Sequence, residues 1–187
     1  PGDAWIRDPA YGGPFVAVKQ MINKADFGGN TSPGTTNITG LNVNIIRLAD
    51  VYLMAAECAV ETNDLAYARD RVNDVRNRAA TLPVITVGGT PAAAYNVKPY
   101  ASFPNQDYAR NAVRFERRLE LAMEGHRFYD LVRWGQAKQV IETYQTFEKG
   151  YVSASQTITF EEKDTYFPIP QEQMDRSGGA LTQNDGY

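Results

Sequence analysis

Apolar residues between positions 47 and 79 recur with the spacing of two amphipathic helices. The apolar face of the first helix has members three or four residues apart, namely Leu48, Val51, Tyr52, Ala55 and Ala59. The second helix continues the spacing through Leu65, Ala68, Val72, Val75 and Ala79. Between them lies Thr62-Asn63-Asp64, where the Asp64 carboxylate is predicted to cap the second helix by accepting backbone N–H groups. A connection this short requires antiparallel helices, so residues 47–79 are predicted to form a helical hairpin.

Helical spacing returns over residues 109–146, which are predicted to form a helical pair with its break at Gly125. Residues 1–46 are rich in Gly, Asn, Thr and Pro, which predicts loops around one or two strands. Residues 80–108 are predicted to be a long loop, and residues 147–187 an irregular tail with one possible short strand at 157–160. The expected fold class is mainly α, with helical hairpins, long irregular loops and one or two short strands.

Length and charge restrict the class of protein. The 187 residues fit one domain or a large piece of one, and 43% are hydrophobic, which is ordinary for a globular chain. A net charge of −3 gives no basic surplus that would indicate a nucleic-acid partner. No apolar run reaches the length of about 18 residues that a membrane-spanning helix needs.

Scarce cysteine and histidine exclude several kinds of catalytic and metal site. The single Cys58 cannot form an intrachain disulfide or a CxxC motif, and its alanine-rich surroundings predict a buried small side chain. The single His126 excludes every site that needs two imidazoles, and a structural role is expected for it. No nucleophile elbow, phosphate-binding loop or metal-ligand cluster accompanies them. We therefore expect no catalytic residue, no metal and no cofactor.

Acidic and basic residues alternate densely over positions 114–134, and two interpretations are open. Glu116 and Glu120 lie four residues apart, so they could act as the acid and base of a glycoside hydrolase. The neighbouring arginines are expected to lower both pKa values, which disfavours a protonated general acid. Arginine–carboxylate pairs that fasten adjacent helices explain the same residues without chemistry, and this interpretation is favoured.

Aromatic residues are concentrated in the predicted long loop and at its end, at Tyr95, Tyr100, Phe103 and Tyr108. Rings on a loop can stack on sugars, or they can pin the loop to the body of the protein. The second interpretation is favoured, because long loops in compact domains need such anchoring.

Several segments together resemble the SusD/RagB family. Residues 47–57 (RLADVYLMAAE) are similar to its R-x-A-[DE]-V-x-L-M-x-A-E helix, and residues 72–79 (VNDVRNRA) to its N-x-V-R-x-R-A helix end. Residues 116–135 are similar to its E-R-R-x-E-L-x-x-E-G-x-R-x-x-D-L-x-R-x-G block. FPIP at 167–170 and QNDGY at 183–187 complete the order, with Asp185 in place of the family's usual proline.

The resemblance implies a nutrient-binding protein rather than an enzyme. Members of this family are lipid-anchored on the outer surface of a Gram-negative outer membrane and carry tetratricopeptide-like hairpins. They bind glycans, or peptides in some members, and deliver them to a SusC-like TonB-dependent transporter. Because the chain begins at Pro1 and shows one clear hairpin, we expect it to be the C-terminal part of such a protein. Membrane association is expected only through an N-terminal lipid anchor absent from this chain.

The resemblance places ligands on aromatic rings in loops. Trp5 and Tyr11 in the first loop are the leading candidates for stacking on a sugar, and Tyr100 and Phe103 are second choices. Two other functions stay open. One is a glycoside hydrolase using Glu116 or Glu120, and the other is a helical-repeat interaction scaffold without a small ligand.

Overall fold

Helices account for most of the described chain. The computed structural model describes residues 19, 40, 42, 44–84, 86–87, 89–91, 95–150 and 159–187. Within these ranges the α-helices, numbered α1 to α6, are Leu48–Glu61, Leu65–Ala80, Gln106–Glu120, His126–Arg133, Ala137–Glu148 and Gln171–Arg176. The two strands, β1 (Thr86–Val87) and β2 (Thr90–Pro91), pair antiparallel, and Glu162–Thr165 forms a 3-10 turn. The mainly helical fold class is confirmed.

Helices α1 and α2 form the predicted hairpin, but the predicted apolar face of α1 is wrong in part, because Leu48 and Val51 are exposed and Leu53, Ala56 and Val60 are buried instead. The Asp64 carboxylate accepts the backbone N–H of Tyr67 at 3.1 Å, so the predicted cap is present. Asn63 adopts a left-handed conformation with φ of 62°, which turns the chain between the helices. Ala56, Ala59 and Ala68 are buried, and such small side chains allow the two helix axes to approach closely.

Helix α3 packs against both members of the hairpin and completes the first core. The largest fully buried side chains of the described residues come from all three helices: Leu53, Val60, Val72, Val75 and Val113. Burying one such side chain stabilises the fold by roughly 1.5–3 kcal/mol. Leu131, Ala137 and Phe160 form a second, smaller core in the part of the chain that contains α4, α5 and α6.

The helical boundaries differ from the predicted ones in three places. Helix α3 begins at Gln106, before the predicted 109, because the Asn105 side chain accepts the backbone N–H of Tyr108 at 2.8 Å. The predicted helical pair is three helices, since a second break occurs at Gly135, whose φ is 66°. The predicted irregular tail contains α6 and the 3-10 turn.

Other predictions about irregular regions are tested only in part. Nearly all of residues 1–46, including the strand-like stretch 15–22, lie outside the described residues. So do residues 157 and 158, while Thr159 and Phe160 are not in a strand. Within the described ranges, none of the helices is both long enough and apolar enough to cross a membrane.

Candidate functional site

Charged side chains meet where α1 begins and where α2 and α3 end. We call this set the arginine–carboxylate cluster; its members are Arg47, Asp50, Arg76, Arg78, Glu116, Arg117, Glu120 and Glu124. Helical spacing places Glu116 and Glu120 on one side of α3, and the turn that follows α3 carries Glu124 to Arg47. The cluster contains both candidate acid–base residues of the hydrolase interpretation.

Arg47 precedes α1 and binds two carboxylates at once. Its Nη2 donates to Glu124 Oε1 at 2.8 Å and to Glu120 Oε1 at 2.9 Å, while its Nε donates to Glu124 Oε2 at 2.9 Å. The hydrogen bond to Glu124 is the main cause that raises the pKa of the Arg47 guanidinium above its usual range. The two-pronged geometry fixes both side chains and ties the start of α1 to the end of α3.

Two further arginines join α2 to α3. Arg76 Nη1 donates to Glu116 Oε2 at 2.6 Å, and Arg78 Nη2 donates to both oxygens of Glu120 at 2.8 Å. Arg76 also donates from Nε to the Lys98 carbonyl at 2.6 Å. A single arginine thus connects α2, α3 and the loop that precedes α3.

The pKa of the Glu116 carboxyl moves opposite to the sequence prediction. Burial is the main cause that raises the pKa above its usual value, and with the charge of Glu120 it outweighs the lowering by the hydrogen bond and charge of Arg76. Arg76 lowers the pKa of Glu116 as predicted, but the predicted net direction of the shift is wrong. The sequence showed the arginines but not the depth of the site.

Poor access to the carboxylates argues against catalysis at this cluster. The side chains of Glu116, Glu120 and Glu124 are 6%, 10% and 7% exposed, and each accepts hydrogen bonds from a guanidinium. A glycosidase needs one carboxyl on each side of a bound sugar ring, with room for the sugar. This arrangement instead suits the fastening of helices.

Cys58 and His126 show no catalytic arrangement. Cys58 is exposed, so the prediction that it is buried is wrong; the buried face of α1 runs through Leu53, Ala56 and Val60, and Cys58 lies off that face. His126 is the half-buried first residue of α4. In the part of the chain that the structure describes, no three His, Cys, Asp or Glu side chains are grouped so as to hold a metal ion.

Three rings of the loop form an aromatic group before and at the start of α3. Tyr100 lies edge-on to Phe103, with ring centroids 5.3 Å apart, and to Tyr108 at 6.3 Å. The Asn73 side chain holds both the N–H and the carbonyl of Tyr100, at 2.7 and 2.9 Å. The Arg76 guanidinium lies 4.8 Å from the centroid of the Tyr100 ring. These contacts pin the loop to α2.

Of the four predicted sugar-stacking residues, Tyr100 and Phe103 lie in the described part of the chain, and their rings contact each other. Trp5 and Tyr11 lie outside the described residues. Phe103 is 7% exposed and belongs to the core, so little of its ring faces solvent. Tyr100 is half-buried against that core. A role in ligand binding stays a prediction for all four.

Comparisons with known proteins agree with the resemblance. The sequence profile of the SusD family matches residues 15–187. Two curated relatives from Formosa agariphila are SusD-like protein P25, 42% identical over 99 residues, and SusD-like protein P38, 32% identical over 112 residues. These matches cover 52% and 60% of this chain but only 16% and 20% of the relatives.

Solved structures share the fold. A SusD homolog from Bacteroides thetaiotaomicron has a TM-score of 0.60 at 27% identity, covering 82% of this chain and 30% of that one. The surface glycan-binding protein A from the same species has a TM-score of 0.54 at 27% identity, covering 80% and 26%. The chain thus spans less than a third of the length of these proteins. With the profile match extending over nearly all of its residues, the chain belongs to the SusD family.

Proposed function

We propose that this chain is part of a glycan-binding protein that delivers oligosaccharides to a SusC-like TonB-dependent transporter at the bacterial cell surface. Membership of the SusD family over residues 15–187 is the observation that carries the proposal. A structural neighbour named as a surface glycan-binding protein supports the ligand class. A lipid anchor in the outer membrane belongs to the same proposal.

The proposed role is binding without bond cleavage. Glu116 and Glu120, which a hydrolase would use, are largely buried and paired with Arg76, Arg47 and Arg78. Removing them is therefore expected to weaken the fold rather than to stop a reaction. Contacts to the glycan are proposed for Trp5, Tyr11, Tyr100 and Phe103, with flat rings packing on the C–H faces of sugars.

Isothermal titration calorimetry with neutral glucan and xylan oligosaccharides tests the ligand class, with short peptides as the competing cargo. The proposal predicts saturable binding of at least one oligosaccharide, which is recovered unchanged. A flat response to every sugar together with binding of a peptide would contradict it.

A pull-down of the transporter, with and without the oligosaccharide, tests the partner. Recovery of a TonB-dependent transporter from outer-membrane extract supports the proposal when the calorimetry also shows sugar binding. Recovery that is independent of the sugar, with flat calorimetry, would favour a pure interaction scaffold.

A further inference from the structure

A cleft of about 700 Å³ lies near the C-terminus, lined by residues between Glu161 and Gly186. Its walls are residues 161–163 with Tyr166 on one side and residues 183–186 on the other. The volume falls in the range of about 300–1,000 Å³ that small-molecule sites occupy. The sequence motifs account for these residues only as part of a tail and assign no ligand to them.

Specific hydrogen bonds hold the wall formed by residues 183–186 in place. The Gln183 side chain accepts the Ile169 N–H at 2.8 Å and donates to the Ile169 carbonyl at 2.9 Å. Asn184 donates from Nδ2 to the Phe167 carbonyl at 2.8 Å. These bonds fasten the final segment onto the chain that follows Tyr166, so the wall is formed before any ligand arrives.

The end of the chain fixes the opposite wall. Tyr187 donates its hydroxyl to the Tyr166 carbonyl at 3.0 Å. Gly186 has a φ of 90°, and a Cβ there would come within 2.8 Å of Lys163 Cβ, so the backbone approaches the 3-10 turn as only glycine allows. A prebuilt cleft costs little ordering entropy when a ligand binds.

Charge in the cleft selects against anions. Three carboxylates, Glu161, Glu162 and Asp185, face one ammonium group, Lys163, which lies 3.2 Å from Glu161. Carboxylate oxygens accept hydrogen bonds from sugar hydroxyls, whereas they repel uronate or sulfate groups. These carboxylates are not grouped to hold a metal ion either, since no such group exists among the described residues.

Tyr166 supplies an apolar surface beside these polar groups. It is 70% exposed, although its backbone is fixed by Tyr187, so a face of the ring is open to a ligand. A flat ring next to hydrogen-bond acceptors is the combination that binds a sugar, because the ring packs on C–H groups while the acceptors orient the hydroxyls.

We propose that this C-terminal cleft is a binding subsite for a neutral oligosaccharide, with Tyr166 as the stacking ring and Glu162 and Asp185 as hydroxyl acceptors. The proposal rests on the proposed glycan-binding function and adds a site that the family motifs do not assign. It assigns ligand contact to residues after α5, in addition to the contacts proposed for Trp5, Tyr11, Tyr100 and Phe103.

The test is calorimetry of the full chain with maltohexaose, laminarihexaose and xylohexaose, and with tetragalacturonate as the anionic probe. Tyr166→Ala is expected to weaken binding of the neutral hexaose about tenfold, whereas Tyr166→Phe keeps it. Tyr144→Ala is the matched control, because Tyr144 is an exposed tyrosine on α5 that does not line the cleft. The double variant Glu162→Gln/Asp185→Asn removes two carboxylates and keeps the Tyr166 ring. It tests the hydroxyl acceptors independently of the ring and is expected to weaken binding.

The outcomes separate the subsite from the overall function. Weaker binding by both Tyr166→Ala and the double variant, with unfolding temperatures like that of the wild type, supports the subsite. Unchanged binding by both variants overturns the subsite and leaves the glycan-binding function standing. Tighter binding of tetragalacturonate than of every neutral hexaose overturns the ligand class, and no binding of any probe by the wild type overturns both proposals.

Discussion

Arg117 on α3 and Asp50 on α1 form an ion pair of 2.8 Å between Nη1 and Oδ1, 67 residues apart in the chain. Their side chains are only 4% and 8% exposed. The pair joins α1 to α3 in the protein interior, whereas Arg47 joins the start of α1 to the end of α3. Its burial makes it the most sensitive point of the arginine–carboxylate cluster.

Removing one partner of this pair is expected to be costly. Arg117→Met leaves the Asp50 carboxylate buried without this guanidinium, so the free energy of unfolding should fall by about 3–5 kcal/mol. Urea unfolding measures the loss. The double variant Asp50→Leu/Arg117→Met should recover much of it, because no uncompensated charge is then buried. A double variant as unstable as Arg117→Met alone would contradict this explanation.

An exposed pair provides the control for that experiment. Arg110 pairs with Glu61 at 2.8 Å near the surface, where water screens the attraction. Arg110→Met is therefore expected to change the urea midpoint far less than Arg117→Met. Equal losses would mean that burial does not decide the strength of these pairs.

Gly125 is predicted to be required for its backbone conformation rather than for its size. Its φ is 84°, and a Cβ there would meet nothing within 4 Å. Gly125→Ala should cost about 1 kcal/mol of unfolding free energy, since side chains disfavour this conformation. Gly125→Asn should cost less, because asparagine tolerates it better. Thermal unfolding compares the two, and equal costs would point to a different cause.

Burial of Glu116 predicts a defined pH dependence. Its pKa is higher in the folded state, so the folded chain binds this proton more tightly than the unfolded chain does. The contribution of Glu116 to stability is thus greatest below its ordinary pKa of 4.5 and is lost as pH rises toward the folded-state value. In urea unfolding from pH 4 upward, the free energy of unfolding of Glu116→Gln should therefore fall less with rising pH than that of the wild type. An unchanged slope would contradict the raised pKa.

Phe103 is predicted to act mainly in the core. Its ring is buried between Tyr100 and Tyr108, so Phe103→Ala should lower the free energy of unfolding by about 3–5 kcal/mol. Tyr95→Ala, an exposed ring on the same loop, should change it by less than about 0.5 kcal/mol. Chemical denaturation distinguishes these outcomes. A small loss of unfolding free energy for Phe103→Ala would mean that the core does not depend on this ring, and would favour a role in ligand binding.

Local chemistry explains which parts of the fold could be predicted from the sequence. The α1–α2 hairpin follows from apolar spacing and from the short capping side chain of Asp64, both of which act within a few residues. Pairing of the glutamates with arginines follows from their density and from helical spacing. The start of α3 was misplaced although its cap, Asn105, is present in the sequence.

Long-range contacts explain the rest. The exposure of Cys58 depends on which face of α1 meets α2 and α3, and the direction of the Glu116 pKa depends on how deeply three helices bury it. The C-terminal cleft depends on Gln183 and Tyr187 reaching back to Ile169 and Tyr166. No periodicity in the sequence encodes such contacts.

We propose that the arginine–carboxylate cluster fastens the scaffold of a binding protein and performs no hydrolysis. The most direct test is chromatography of neutral oligosaccharides incubated with the wild-type chain and with Glu120→Gln, alongside urea unfolding of both. We expect intact sugars with both proteins and a lower unfolding midpoint for Glu120→Gln. Shortened sugars with the wild type, and none with an equally stable Glu120→Gln, would contradict it.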